Sequence, residues 1–214
     1  SQQAVAPKED GVWRFPDGDA FYASRLRDFT TTNLSPEAIH QAGLANVARL
    51  HEEMRSVMGE LGEEGELSAF LDQVRNDESL RYDNTEAGRS AYLDAARTAI
   101  DRMAERLPDY FGLLPQSDLI VKRVEAYREQ SAGKAFYQSP PPDGSRPGIY
   151  YANLYDMNSM PTTDLEALAF HEGLPGHHLQ LSIAAELGDV PDFQRHTRFT
   201  AFSEGWGLYS EYLA

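Results

Sequence analysis

The chain contains no cysteine, and this absence removes several kinds of chemistry at once. Disulfide bonds, zinc sites built on thiolates and cysteine nucleophiles are all excluded. Any metal site must therefore be built from histidine and carboxylate side chains. The chain has 6 histidines and 34 acidic residues from which such a site can be made.

Basic residues are also scarce, since 19 Lys and Arg face 34 Asp and Glu and give a net charge of −15. Nucleic-acid binders need clustered Lys and Arg, so this balance argues against a nucleic-acid partner. It weakly favours neutral or cationic ligands. No apolar run approaches the roughly 20 residues of a membrane-spanning helix, so no span is predicted within this chain.

With 214 residues, the chain can bury a substantial core in one domain or two small ones. It opens with Ser1 rather than a methionine, which is compatible with removal of a leader. It stops at Ala214 inside a predicted helix, so we expect a piece of a longer protein. No feature of the sequence specifies an oligomeric state.

Residues 1–111 show the three- and four-residue apolar spacing of amphipathic helices. Ser35 is a good N-cap, and Pro36 suits the first position of a long helix that is predicted to reach about Glu60. A second long helix is predicted to start at Thr85-Glu86 and to end at Pro108. This part of the chain is therefore predicted to be a helical region.

Residues 112–214 begin with three stretches rich in β-formers, namely 119–124, 135–137 and 148–155. Thr163 and Glu166 then form a capping-box pattern ahead of a helix that is predicted to run to Gly188. A last helix is predicted over about 193–212. The predicted fold class is mostly α with a small β-sheet (α+β), and 112–214 is the predicted catalytic region.

The sequence Ala167–Gln180 concentrates three of the six histidines. His171-Glu172 resembles the start of H-E-x-x-H, in which two histidines one helical turn apart bind zinc and the glutamate is a general base. The second histidine is displaced, because position 175 is Pro and the next imidazoles are His177 and His178.

In a regular helix, neither His177 nor His178 could easily bind the same zinc ion as His171. His178 would lie within roughly 20° of His171 but about 10 Å along the axis, too far for zinc bonds of about 2.1 Å. His177 would lie closer but on another face. Pro175 clashes with the carbonyl four residues back, and Gly176 adds backbone freedom. We therefore predict a bulge or kink that brings His177 to the second ligand position, with His178 as the alternative.

Glu204 is the strongest candidate for a third ligand, because small residues flank it and permit close helix approach. Two histidines and one glutamate, with a fourth position left for water, form a standard catalytic zinc set. Glu211 lies two turns further along the same face, where it can hold a ligating histidine. In such a site Glu172 would take the proton of a water that zinc has acidified.

Substrate contacts are predicted on the strand that precedes the histidine-bearing helix. If its edge is exposed, that strand can pair with an extended peptide through its backbone. Tyr150, Tyr151 and Asn153 on this strand are predicted to bind substrate, together with Tyr209 of the last helix. The three tyrosines are also candidates for stabilising an oxyanion.

Two C-terminal motifs carry a family resemblance: His-Glu-Gly-Leu-Pro-Gly-His-His-Leu-Gln at 171–180 and Phe-Ser-Glu-Gly-Trp-Gly-Leu-Tyr-Ser-Glu at 202–211. With residues 30–44 and 147–153, they resemble the bacterial family catalogued as domain of unknown function 885. The resemblance implies longer, mostly helical proteins, many of them exported or lipid-anchored; a cytoplasmic location stays open.

The same resemblance implies a zinc metallopeptidase similar to the gluzincins, with a zincin-like core built on helices. It implies His171, His177 and Glu204 as ligands and Glu172 as base. We therefore expect zinc-dependent hydrolysis of peptide bonds, with a peptide or small protein as substrate. The alternatives are a non-catalytic helical binding module or inactive fragment, and a metal-dependent hydrolase of a non-peptide amide.

Overall fold

The computed structural model describes residues 11–141, 143–188, 190–191, 193–194 and 197–214. The chain forms two compact units. The first comprises the chain up to Gln73 together with Phe199–Ala201, and the second comprises Val74–Arg198 and Phe202–Ala214. All of the predicted site residues belong to the second unit.

Helices make up the first unit. The bounds of its elements are Val12–Arg14 (a 3-10 turn), Gly18–Thr30 (α1) and Pro36–Glu60 (α2), and Leu67–Asn76 (α3) begins in this unit and ends in the second. Ser35 accepts a hydrogen bond from the Ala38 N–H, and Pro36 occupies the first position of α2. The predicted start and end of this long helix are therefore confirmed.

The second unit is organised around helix α4, Glu86–Tyr110. Thr85 caps it by accepting from the Gly88 N–H, as the sequence predicted. The helix does not stop at Pro108 but continues to Tyr110, because a proline in the last turn removes only one backbone donor. The residues of its buried face are Tyr92, Ala96, Ala99, Ile100, Met103 and Leu107.

A three-stranded sheet packs beside α4. Its strands are Leu119–Arg123 (β1), Ala135–Gln138 (β2) and Gly148–Ala152 (β3), in the order β1-β3-β2. β1 runs parallel to β3 and β2 runs antiparallel to it. The condition for β3 to pair with a peptide, an exposed edge, is not met, since β3 lies between two partners and all five of its residues are buried.

Three further helices follow: Thr162–Glu172 (α5), His177–Glu186 (α6) and Thr200–Leu213 (α7). Short 3-10 turns also lie at Glu78–Leu80 and Met157–Ser159. The predicted capping box is wrong. Helix α5 begins at Thr162, two residues too early for Thr163 to be its N-cap, and the Glu166 carboxylate accepts from Arg102 at 2.7 Å instead.

The predicted fold class, mostly α with a small β-sheet, is confirmed. The main core lies where α4, the sheet and α5 meet. The units differ from the predicted regions 1–111 and 112–214 in two respects. Helix α4 packs against the sheet and belongs with it in the second unit, and Phe199–Ala201 belong to the first unit. None of the helices in the described part of the chain has both the length and the apolar character needed to cross a membrane.

Candidate metal site and cleft

The segment between α5 and α6 breaks the helix instead of bulging it. Helix α5 ends at Glu172, the Leu174–Pro175 peptide is cis, and α6 begins at His177. The prediction of one distorted helix is therefore wrong, because the backbone at Gly173 (φ −99°, ψ −116°) leaves the helical region altogether. The indole N–H of Trp206 on α7 donates to the Pro175 carbonyl at 2.8 Å.

Gly176 permits this turn to fold tightly. A Cβ atom there would collide with the carbonyl oxygens of His171 and Phe170 at the end of α5. The chain therefore passes directly over the last turn of α5 before α6 starts. As a result, His177 lies next to His171. The sequence analysis predicted this proximity, but from a bulged helix and not from a turn between two helices.

His171, His177 and Glu204 come together at this point. The two imidazole rings lie edge to face with centroids 4.7 Å apart. Glu204 Oε2 lies 3.5 Å from His171 Nε2 and 3.7 Å from His177 Nε2. One ligand atom from each of the three side chains lies within 4.8 Å of the other two, which is the spacing of a metal-binding group.

Two residues of α7, Glu211 and Gly207, lie against the His171 ring. Glu211 Oε1 lies 2.6 Å from His171 Nδ1, so Nε2 is the ring nitrogen left facing Glu204. A Cβ atom added at Gly207 would lie 2.6 Å from His171 Cε1, so the helix backbone passes right beside the ring. The contact predicted for Glu211 is therefore present.

These residues fit a divalent metal such as zinc. Burial and the neighbouring His171 lower the pKa of His177, which keeps its ring in the neutral form that binds metals. Among the described residues, no hydrogen-bond partner occupies the buried Nδ1 of His177. Two available imidazoles, a carboxylate, and a second carboxylate behind His171 match the donor set of a catalytic zinc site.

Glu172 lies in the same cleft and is 7% exposed. Burial raises the pKa of its carboxyl to about 7. The charge of His171 opposes this rise in pKa, Glu204 and Glu211 add to it, and the backbone amide of Tyr137 opposes it. A carboxyl group with a pKa near neutrality is suited to exchange protons with a reacting group.

Strand β2 forms one wall of this cleft, whose volume is about 340 Å³. The carbonyl of Lys134, the residue just before β2, accepts from the Asn153 N–H at 3.0 Å. In an antiparallel pair such bonds alternate, so the backbone groups of Ala135 and Tyr137 point to the open edge. The sequence predicted this strand but did not place it at the site, because strand order depends on pairing between distant segments.

His178, the alternative ligand, points away from the metal-binding group. Its Nε2 lies 3.0 Å from the Ser117 carbonyl oxygen, and its Nδ1 lies 2.9 Å from the Tyr137 hydroxyl. The residue is 2% exposed, and burial lowers its pKa. Both ring nitrogens are thus engaged elsewhere, and the geometry favours His177.

None of the four predicted substrate contacts lines the cleft. Tyr150 is fully buried, and burial raises its pKa well above the ordinary value. The Tyr151 hydroxyl donates to Glu125 at 3.2 Å, and the Asn153 amide donates to three carbonyl oxygens between 129 and 133. Tyr209 is half-exposed, with its ring 5.9 Å from that of Trp206.

Comparison with known proteins gives no match among the curated proteins. The chain is similar to a protein from Colwellia psychrerythraea whose crystal structure is described as that of a "putative lipoprotein", with 31% identity and a TM-score of 0.95. The match covers 100% of this chain and 37% of that one, so this chain spans little more than a third of its length. A family model described as "Bacterial protein of unknown function (DUF885)" matches residues 1–214. The chain therefore belongs to the DUF885 family of bacterial proteins.

Proposed function

We propose that this protein hydrolyses peptide bonds with the help of a zinc ion. The observation that carries the proposal is the meeting of His171, His177 and Glu204 within 4.8 Å beside the buried Glu172. Two imidazoles, a carboxylate as third ligand and a buried glutamate in one cleft support metal-assisted hydrolysis.

Each side chain then has a definite role. His171, His177 and Glu204 would hold the zinc ion, which supplies Lewis acidity toward a carbonyl group and a water molecule. Glu211 fixes the ring of His171 through Nδ1, so that Nε2 keeps facing Glu204. Outer carboxylates of this kind orient a histidine ligand and raise its basicity.

Glu172 acts as the general base. It accepts a proton from the attacking water while the water oxygen bonds to the scissile carbonyl carbon. It then delivers that proton to the amine nitrogen as the carbon–nitrogen bond breaks. No serine or cysteine nucleophile is required for this sequence of steps.

The edge of β2 supports a peptide as the substrate. Backbone groups of Ala135 and the Tyr137 carbonyl point toward the open side of the strand, along the cleft that holds Glu172, while the Tyr137 N–H donates to Glu172 itself. An extended peptide can add to such an edge through main-chain hydrogen bonds. A small non-peptide amide would make no use of this wall.

A location in the cell envelope is part of the proposal. It is supported by the likeness to the Colwellia protein, which is described as a lipoprotein, at 31% identity over the whole of this chain. Because this chain spans 37% of that protein, the remaining length of such a relative can add further walls to the cleft.

The test measures zinc content and peptide cleavage for the wild-type chain and for Glu172→Gln. We expect about one zinc ion in both proteins, since the amide changes no ligand. Cleavage of a peptide library should fall by roughly two to four orders of magnitude in the variant, because the proton acceptor is lost. Full activity of the Gln variant would reject Glu172 as the base.

Glu204→Ala tests the third ligand, with Glu105→Ala as the control, because Glu105 is an exposed acid on α4. Zinc affinity should fall in the first variant by more than the roughly 10- to 100-fold typical of an outer partner, and it should not change in the second. A wild-type chain that binds no zinc would instead indicate a non-catalytic binding module. Zinc binding with turnover of non-peptide amides alone would reject the peptidase.

A further inference from the structure

The proposed function leaves His178 without a role, although this residue directly follows the proposed ligand His177. Its side chain is 2% exposed and points toward the sheet. Its two ring nitrogens contact the Ser117 carbonyl oxygen at 3.0 Å and the Tyr137 hydroxyl at 2.9 Å. It therefore joins α6 to the segment before β1 and to β2.

The direction of these hydrogen bonds follows from the Ser117 carbonyl. A carbonyl oxygen can only accept, so Nε2 of His178 carries the hydrogen and donates it. In the neutral ring, which burial favours, Nδ1 is then an acceptor. The Tyr137 hydroxyl must donate to it, so the pair has a single arrangement.

Tyr137 connects this bond to the cleft. Its side chain ends on His178, while its backbone N–H points to the open edge of β2, where its amide faces Glu172. Tyr137 therefore contacts α6 through its side-chain hydroxyl and the proposed base, Glu172, through its backbone amide.

Gly148 and Ser182 pack closely against this pair. A Cβ atom added at Gly148 would lie 2.6 Å from His178 Nδ1 and would collide with the Tyr137 hydroxyl. Ser182, one turn along α6, places its hydroxyl 3.4 Å from both Nδ1 and the phenol oxygen. These longer distances leave the bond between Tyr137 and His178 as the main link.

We infer that His178 is a positioning residue that holds the edge strand β2, through the Tyr137 hydroxyl, in register with the metal ligands, so that an extended peptide lies across them. This inference rests on the proposed function and specifies how its substrate is aligned. Breaking the link weakens binding of a peptide along β2 and leaves the metal-binding side chains intact.

The first test uses the zinc-loaded chain and two probes. Acetohydroxamate binds only the metal, whereas a tripeptide hydroxamate binds the metal and needs the edge of β2. Tyr137→Phe should weaken the tripeptide probe about tenfold, the scale of one well-made hydrogen bond. Binding of zinc and of acetohydroxamate should stay within about twofold.

A matched pair at position 178 identifies the bond responsible. His178→Asn places an amide oxygen near Nδ1 and keeps an acceptor for Tyr137, whereas His178→Gln places its amide near Nε2 and keeps only the contact with Ser117. We expect the Asn variant to retain tripeptide binding and the Gln variant to match Tyr137→Phe. Ser182→Ala, in the same cluster, is the control and should bind like the wild type.

Hydrogen exchange of the amides at 135–138 in the metal-free chain gives a readout that needs no bound ligand. Exchange should be faster in Tyr137→Phe and His178→Gln than in His178→Asn. Unchanged exchange and unchanged tripeptide binding in Tyr137→Phe would overturn the inference while leaving the proposed function intact. Failure of the wild-type chain to bind zinc or acetohydroxamate would instead overturn the proposed function.

Discussion

At the scale of single residues, the imidazole of His171 is held from two sides. Glu211 lies 2.6 Å from its Nδ1, and the backbone of α7 passes beside the ring at Gly207. A ring fixed in this way keeps Nε2 directed at Glu204, as the proposed metal site requires.

Gly207→Ala should weaken zinc binding. The added Cβ would lie 2.6 Å from Cε1 and 2.7 Å from Nε2 of His171, so the ring or the helix must shift. We expect a loss of affinity of roughly 10- to 100-fold, the range seen when the support of a ligand is disturbed. Titration against a competing chelator measures it.

Gly205→Ala is the matched control on the same helix, because its Cβ would meet no atom within 4 Å. It should keep the wild-type affinity and stabilise the helix by up to about 1 kcal/mol. Equal zinc affinities for the two alanine variants would contradict the role assigned to Gly207.

Residue spacing along a helix explains why Glu204 and Glu211 could be selected from sequence. Seven residues are close to two helical turns, so both carboxylates share a face whatever the rest of the chain does. The same reasoning fails for Tyr150 and Tyr151. Their exposure depends on which strand lies in the middle of the sheet, and pairing between distant segments decides that.

At the scale of elements, the break between α5 and α6 brings the two proposed imidazole ligands together. Gly176 lies over the carbonyl oxygens of His171 and Phe170, and Trp206 of α7 donates to the carbonyl of Pro175. The turn thus packs against the last residues of α5 and is hydrogen-bonded to α7.

Gly176→Ala should destabilise the second unit by roughly 1–3 kcal/mol, because its Cβ would collide with backbone atoms that cannot move aside. Zinc affinity should fall as well, because relieving the collision moves the start of α6, and with it His177, away from His171. Gly112→Ala serves as the control, as nothing lies within 4 Å of its Cβ. Urea unfolding that gives the same free energy for both variants would show that the turn has room for a side chain.

Helix starts were predictable where a side chain caps the backbone locally. Ser35 and Thr85 both accept the hydrogen bonds that their sequence positions indicated. The box at Thr163 failed because long-range contacts fix the start of α5: the Thr162 hydroxyl donates to the Leu80 carbonyl. The break at Pro175 was predictable as a distortion, but its form depends on packing against α7.

At the scale of the whole molecule, the proposed metal ligands, the base and the cleft all belong to the second unit. The first unit contributes none of them among the residues that the structure describes. Sequence periodicity could predict a mostly helical fold, but it could not assign α4 to the second unit. That assignment follows from contacts with β1 and α5, which lie far along the chain.

Zinc should therefore stabilise the second unit selectively. A ligand at 100 times its Kd raises the free energy of unfolding by about 2.7 kcal/mol. Hydrogen exchange with and without zinc should show slower exchange in α5, α6 and α7 and no change across α2. Equal protection of α2 would show that the metal stabilises both units together.

The placement of Glu204 and Glu211 on α7, downstream of both imidazoles, has a consequence for biosynthesis. Translation delivers His171 and His177 before the two carboxylates. The proposed ligand set is therefore complete only after α7 has emerged from the ribosome and packed beside His171.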